Sequence, residues 1–389
     1  MSVAYIDSEK KQRLRDQATA VAMDVAAPGA DRVDAEAVWP QATFDALAEA
    51  GLLGLHVPER LGGHGEGLIG LLLTTETLAG ACSSSGLCFG MHNVATAVLA
   101  AKATPDHEER FLLPIARGKH VTSLAVSEAG TGSHLYLTDT SIERDGDCFT
   151  VRGQKQFVSS GAQADSYVTS TMTTTGRSAP GEFNMLVVEK DTPGTVWGEP
   201  WKGFGMRGNA ARSLKLDGAR VNARNLLGAE GDQTWYMFEI VVPYFIMAMA
   251  GTYLGIAQAA LDEAIAHVRT RRFAHSGEAL AEAPLVQEKV ARLWADVEKG
   301  RRFIYHAARL GDAGDVRALP AILSAKAEMD EIAVRVTNEA MSLGGGIEYR
   351  ENGKMARLLR DARASQVMSP TTDLLRLWTG RALLGLPIL

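Results

Sequence analysis

Cysteine is scarce in this chain: Cys82, Cys88 and Cys148 are the three in 389 residues, with no CxxC pair and no metal-ligand spacing to the nine histidines. That excludes a disulfide framework and a cysteine-built zinc centre, predicts no metal, and leads us to expect a reducing, cytoplasmic setting. An excess of cations is missing too. Lys and Arg number 40 against 46 Asp and Glu, a formal charge of −6, which argues against nucleic acid as a partner because phosphate tracks draw on clustered cations. The cluster Arg269, Arg271 and Arg272 still suffices for one phosphate group. Long apolar runs are nearly absent. One, Ile240 to Leu261, carries no charge and is long enough for a bilayer, but Pro243, Thr252, Tyr253 and Gln258 interrupt it. No second span accompanies it, so a helix buried on all sides is expected and no membrane partner. The stretch MSVAYIDSEKKQRLRDQATA is polar and helical in pattern, without the apolar segment of a secretion signal.

What is present suits a globular protein: 46% hydrophobic and 22% charged residues, and length for two or three domains at roughly 150 residues each. Residues 1–121 read as helices. Ala42 to Leu53 has apolar residues at helical spacing and ends at Gly54; Val57 to Gly67 is a glycine-rich loop; Leu68 to Ala81, Val94 to Ala103 and Phe111 to Ala116 continue the pattern. His56, His64, His92, His107 and His120 are scattered through it and read as surface or core filler. From Thr122 to Gly228 the pattern turns to short alternating runs. Ser141 to Glu143 and Cys148 to Val151 flank Asp145-Gly146, a hairpin signal; Tyr167 to Met172, Met185 to Val188 and Ser213 to Leu216 add strands, with turns at Gly176, Pro193-Gly194 and Asp217-Gly218. Helices return over residues 229–389: Trp235 to His267, Pro284 to Leu310, Leu319 to Leu343 and Pro370 to Leu384, with Gly344-Gly345-Gly346 separating the last two.

One stretch stands apart, AVSEAGTGSH from Ala125 to His134. Alternating small residues let a backbone approach a bound group and aim N–H donors at it, although a plain turn has the same composition. Four later segments strengthen the functional reading: GQKQFVSSGAQAD (Gly153 to Asp165), WKGFGMRGNAARSLKLDGARV (Trp201 to Val221), AGTYLGIAQAALDEA (Ala250 to Ala264) with Arg271 after it, and RLLRDARASQ (Arg357 to Gln366). In this order they resemble an acyl-CoA dehydrogenase family flavoprotein over nearly the whole chain. The resemblance implies an α+β protein with an N-terminal α-helical domain, a middle β-barrel domain and a C-terminal four-helix bundle, assembled as a tetramer or dimer with FAD at a subunit interface. It implies backbone and hydroxyl donors from Val126, Ser127, Gly132 and Ser133, and Phe157 and Ser159 facing the ring where the family more often has Trp and Thr. It also implies Arg271 on the pyrophosphate of the neighbouring subunit's FAD, Gln287 with Gly344 and Gly345 at the nucleotide end, and Thr371 and Asp373 on the FAD side of the active site.

Family dehydrogenases remove the α-proton of a thioester with a carboxylate while the flavin takes the β-hydride. Here the resemblance places Ser369 where the usual Glu stands, and counting back from LGIAQ places Phe245 and Ile246 where a subset of the family carries its Glu. An unassisted hydroxyl is too weak an acid to serve as a base near neutrality. Candidates for a base from elsewhere are Tyr244, His134, Glu239 and Asp373. His134 also reads as a loop histidine bonded to its own backbone, and Glu239 falls on another helix face from Phe245. The expected activity is FAD-dependent oxidation of an acyl thioester carried by coenzyme A or an acyl carrier protein, with an electron-transfer flavoprotein or oxygen as acceptor. A monooxygenase or oxidase of the same fold, or a non-catalytic partner subunit, are the alternatives.

Overall fold

The computed structural model describes residues 8–134, 136–173 and 183–388. Its first part is helical: α1 (Glu9–Val21), α2 (Ala27–Ala35), α3 (Gln41–Glu49), α4 (Leu68–Ala81), α5 (Ser83–Ala101), α6 (Pro105–His107) and α7 (Leu113–Ala116). Ser8 caps α1 by accepting from the Lys11 amide, and Thr104 caps α6 by accepting from that of His107. The helix expected to run to Leu53 stops at Glu49, because Gly51 turns the chain in the left-handed region at φ +73°. The helix expected from Val94 begins at Ser83 instead. Ser-Ser-Ser-Gly is a poor helix former, but all of Ser83 to Leu99 is buried, and that burial outweighs propensity. His56, His92 and His107 are buried with ring nitrogens on backbone carbonyls, as filler residues should be.

The strands are β1 (Thr122–Ala125), β2 (Ser141–Asp145), β3 (Cys148–Val158), β4 (Ser166–Thr173), β5 (Phe183–Glu189), β6 (Thr195–Trp197), β7 (Arg212–Asn222) and β8 (Leu226–Leu227). They form one sheet in the order β6-β7-β3-β2-β4-β5-β8, with β1 parallel to β4. The hairpin at Asp145-Gly146 joins β2 to β3 as expected. Asp217-Gly218 is not a turn. It lies inside β7, where the pairing with β3 slips at Val151/Arg152 and Gly218 takes φ +70°, a bulge. The expected turn at Gly176 falls outside the described residues. Ile142, Phe149, Val151, Tyr167, Leu186 and Leu214 form a core belonging to the sheet alone.

The last part comprises α8 (Gln233–Tyr236), α9 (Val242–Thr270), α10 (Pro284–Asp312), α11 (Ala318–Gly344), α12 (Lys354–Arg363) and α13 (Thr372–Leu383). α12 corrects the expectation that only the triple glycine separates the last two helices: KMARLLRDAR is amphipathic and buries Met355, Leu358 and Ala362. The uncharged run is the core of α9, and 78% of its most apolar window is buried inside the protein, as a central helix requires. Its small residues explain how close it lies to α4: a Cβ on Gly255 would stand 2.4 Å from the Glu76 carbonyl oxygen, and one on Gly251 2.9 Å from that of Leu72. The first and last helical parts therefore share one continuous hydrophobic core.

Candidate active site

The glycine-rich loop after β1 is shaped by a buried carboxylate. Glu128 accepts from Lys155 Nζ at 2.5 Å, from the Asp139 amide at 2.6 Å, from the Thr140 amide and hydroxyl at 3.1 and 2.6 Å, and from the Thr138 hydroxyl. Burial alone would raise its pKa, but the charge and hydrogen bonds of Lys155 and the threonines bring it down to about 2. Burial brings Lys155 down to about 8 despite the same partner. The bonds to Glu128 draw Thr138, Asp139 and Thr140 back onto it, and Gly132 stands open at φ +54°, with nothing within 4 Å of where a Cβ would stand. The loop is tied to β3 by the Gln156 amide donating to the Ser127 carbonyl at 2.8 Å.

On β3 the register breaks between Lys155 and Val158, and Phe157 takes φ +54°, a strained conformation for a residue with a Cβ. The bulge turns its ring outward: Phe157 is 57% exposed and meets Trp201 edge-on at 5.2 Å between centroids. Ser159, two residues on, is buried and its carbonyl accepts from the Ser123 hydroxyl at 2.9 Å. The strand thus presents a flat apolar face beside a loop of small residues.

Ser133 and Ser369, 236 positions apart, meet with their hydroxyl oxygens 2.9 Å apart. Ser369 lies on the half-buried segment leading into α13, where Thr371 is the N-cap residue and Asp373 is an exposed acid in the first turn. Beneath this segment, buried Lys326 donates to the carbonyls of Ser365 and Pro370 at 3.0 and 3.1 Å and to Asp330 Oδ2 at 2.9 Å. Sequence reasoning missed Glu128, Lys155, Lys326 and Asp330. The i,i+4 spacing of Lys326 and Asp330 signals a pair, but nothing in it says that the pair is buried under a loop rather than solvated.

Matches to three family models run in order along the chain: the acyl-CoA dehydrogenase N-terminal domain over residues 8–119, the middle domain over 123–219 and the C-terminal domain over 246–384. The cyclohex-1-ene-1-carbonyl-CoA dehydrogenase of Geobacter metallireducens is 32% identical over 98% of this chain and 99% of its own length. The chain belongs to the acyl-CoA dehydrogenase family. A second cyclohex-1-ene-1-carbonyl-CoA dehydrogenase, from Syntrophus aciditrophicus, is 29% identical over 97% of this chain and 90% of its own. The butyryl-CoA dehydrogenase of Megasphaera elsdenii superposes with a TM-score of 0.91 at 25% identity, covering 97% of this chain and 98% of that one.

For this family member, the residues fit a flavin nucleotide. A ring system needs a flat wall, which Phe157 offers; it needs backbone donors at close approach, which open Gly132 allows; and a pyrophosphate needs a cation. Arg271 is exposed just beyond α9, with no ion pair or side-chain hydrogen bond among the described residues. Gln287, on the exposed face of α10, donates to the Ala281 carbonyl at 3.1 Å, and Gly345 is exposed at φ +63° beside buried Gly344. These three positions are surface features of the single chain.

The proposed alternative bases divide. His134 is exposed and its Nδ1 lies 3.0 Å from the Tyr136 hydroxyl, so its side chain bonds a neighbouring ring rather than its own backbone. Tyr244 and Glu239 line a cavity of about 1160 Å³ with Phe238, Asp312, Leu319 and Trp378, and none of Ser133, His134 or Ser369 lines it. Tyr244 packs edge-on to His56 at 4.9 Å, and burial pushes its phenol up, away from use as a base. Asp312 is engaged in capping α4, accepting from the amides of Leu68 and Ile69 at 2.6 and 3.0 Å. The structure thus brings together Ser133 and Ser369 but groups Tyr244 and Glu239 elsewhere.

Proposed function

We propose that this protein is an FAD-dependent oxidoreductase that removes hydrogens from the α and β carbons of an acyl thioester of coenzyme A or an acyl carrier protein. Membership of the family over the whole chain supports the class, and the observation that carries the site is the 2.9 Å contact between Ser133 and Ser369. It joins the glycine-rich loop to the segment that holds the family's base position. Bound FAD would supply the hydride acceptor. Phe157 and the Val126 to Ser133 loop would bind and orient it, Ser159 would back the ring, and Thr371 and Asp373 would stand beside it. Arg271, Gln287, Gly344 and Gly345 would reach FAD across the interface of a homotetramer or dimer, which is why they are exposed in one chain. Three free thiols suit a cytoplasmic enzyme.

Ser369 orients and cannot deprotonate. Its hydroxyl and that of Ser133 can hydrogen-bond the thioester, but an alcohol has no appreciable anion near pH 7. The substrate therefore carries its own activation, an electron-withdrawing group that acidifies the carbon losing the proton. The test is Ser369→Glu with FAD retained. Turnover of simple saturated acyl-CoAs should rise, and no gain would count against this reading. Anaerobic bleaching by an acyl-thioester panel identifies the substrate; reoxidation by an electron-transfer flavoprotein or by oxygen identifies the acceptor.

A further inference from the structure

The segment around Ser369 is held from below by one turn of α11. Fully buried Lys326 sends Nζ to the carbonyl of Ser365 at 3.0 Å, that of Met368 at 3.4 Å and that of Pro370 at 3.1 Å. These carbonyls lie on both sides of Ser369. The ammonium's fourth acceptor is Asp330 Oδ2 at 2.9 Å, and the same oxygen accepts from the Thr372 hydroxyl at 2.8 Å. The Asp330 carbonyl accepts from the Ser365 hydroxyl at 3.1 Å. From α9, Tyr253 closes the remaining side with its hydroxyl 3.2 Å from Met368 Sδ and its ring 5.9 Å from Lys326 Nζ. A buried ammonium aligns carbonyl dipoles that a neutral side chain would leave free, and it stays buried only with an anion beside it.

We propose that Lys326 and Asp330 are the positioning residues of Ser369, fixing the backbone on either side of it and so the place of its hydroxyl against Ser133. The inference rests on the reading of Ser369 as part of the reacting centre, although the packing claim stands without it. Asp330 is the less satisfied half of the pair. Its Oδ1 is buried with no hydrogen-bond partner, and burial raises its carboxyl to about 6 in spite of Lys326 and Thr372. Besides Lys326, the groups that face or act on it are Glu331 on α11, which pairs with Arg376 of α13, and Tyr253 of α9.

Hydrogen exchange of the full chain, read on peptides covering residues 364–373, tests this. Asp330→Asn should speed exchange there about tenfold with the rest of the chain unchanged, and Thr372→Val should give a smaller change of the same sign. In the FAD-loaded enzyme, both substitutions should lower kcat with KM held. Unchanged protection in both variants overturns the proposal; if Asp330→Asn does not fold, Thr372→Val decides alone. If exchange behaves as expected while Ser369→Glu brings no gain, the positioning stands and the reading of the reaction falls.

Discussion

Two buried carboxylate–ammonium pairs lie under the two loops that meet at Ser133 and Ser369, and they are finished to different degrees. Glu128 collects five donors and leaves neither oxygen bare, so its carboxyl falls to about 2 although it is buried. Asp330 collects two donors on one oxygen and none on the other, and its carboxyl rises to about 6. Burial acts the same way on both; the number of donors decides the sign. The glycine-rich loop has therefore been made permanent, whereas the segment before α13 has been left adjustable by one proton.

The comparison breaks most severely at Glu128. Glu128→Ala leaves Lys155 buried without an anion and should cost about 3–5 kcal/mol, read by denaturant unfolding, with the loop at residues 128–140 losing protection first. Lys326→Met should cost less, about 2–3 kcal/mol near pH 5, because a carboxyl already raised to about 6 neutralises readily when its partner goes. The pH slopes should oppose each other. Glu128, lowered from 4.5 to about 2, contributes stability that is complete above about pH 4.5 and lost as the pH falls through about 2. Asp330, raised from 3.8 to about 6, favours the fold most below about pH 3.8, and that advantage is lost as the pH rises through about 6, a change of about 3 kcal/mol. Asp330→Asn should flatten the stability profile between those limits, and an unaltered profile would show that the asymmetry is not real. Smallest is Ser133→Ala, which removes one half-buried hydrogen bond and should cost about 1 kcal/mol or less in thermal unfolding.

Element types were legible where periodicity was strong: α4, α10 and the β2–β3 hairpin follow from their spacing and from Asp145-Gly146. Reading failed where glycine has two meanings. Gly218 looked like a turn and is a bulge inside β7; Gly54 looked like a helix end, while Gly51 breaks the chain. α12 went unseen because its arginines mask a buried face, two of them engaging Asp31 and Asp34 on α2. At the candidate site, the resemblance pointed to Ser133, Phe157 and Ser369, and the structure shows the first and last in contact. The buried pairs beneath them were not legible. Lys155 follows Glu128 by 27 positions, and only the sheet that brings β3 back under the loop reveals that they share a hydrogen bond.

The backbone-to-backbone approach of α4 and α9 at Gly251 and Gly255 bears on how the molecule comes apart. The opening and closing thirds of the chain are interleaved there, so a protease nick near residue 228 should release no autonomous fragment. Heat should melt both thirds as one cooperative unit, and the strand layer is tied to them through Leu124, Val168, Met185, Val187 and Leu227, which belong to the same core.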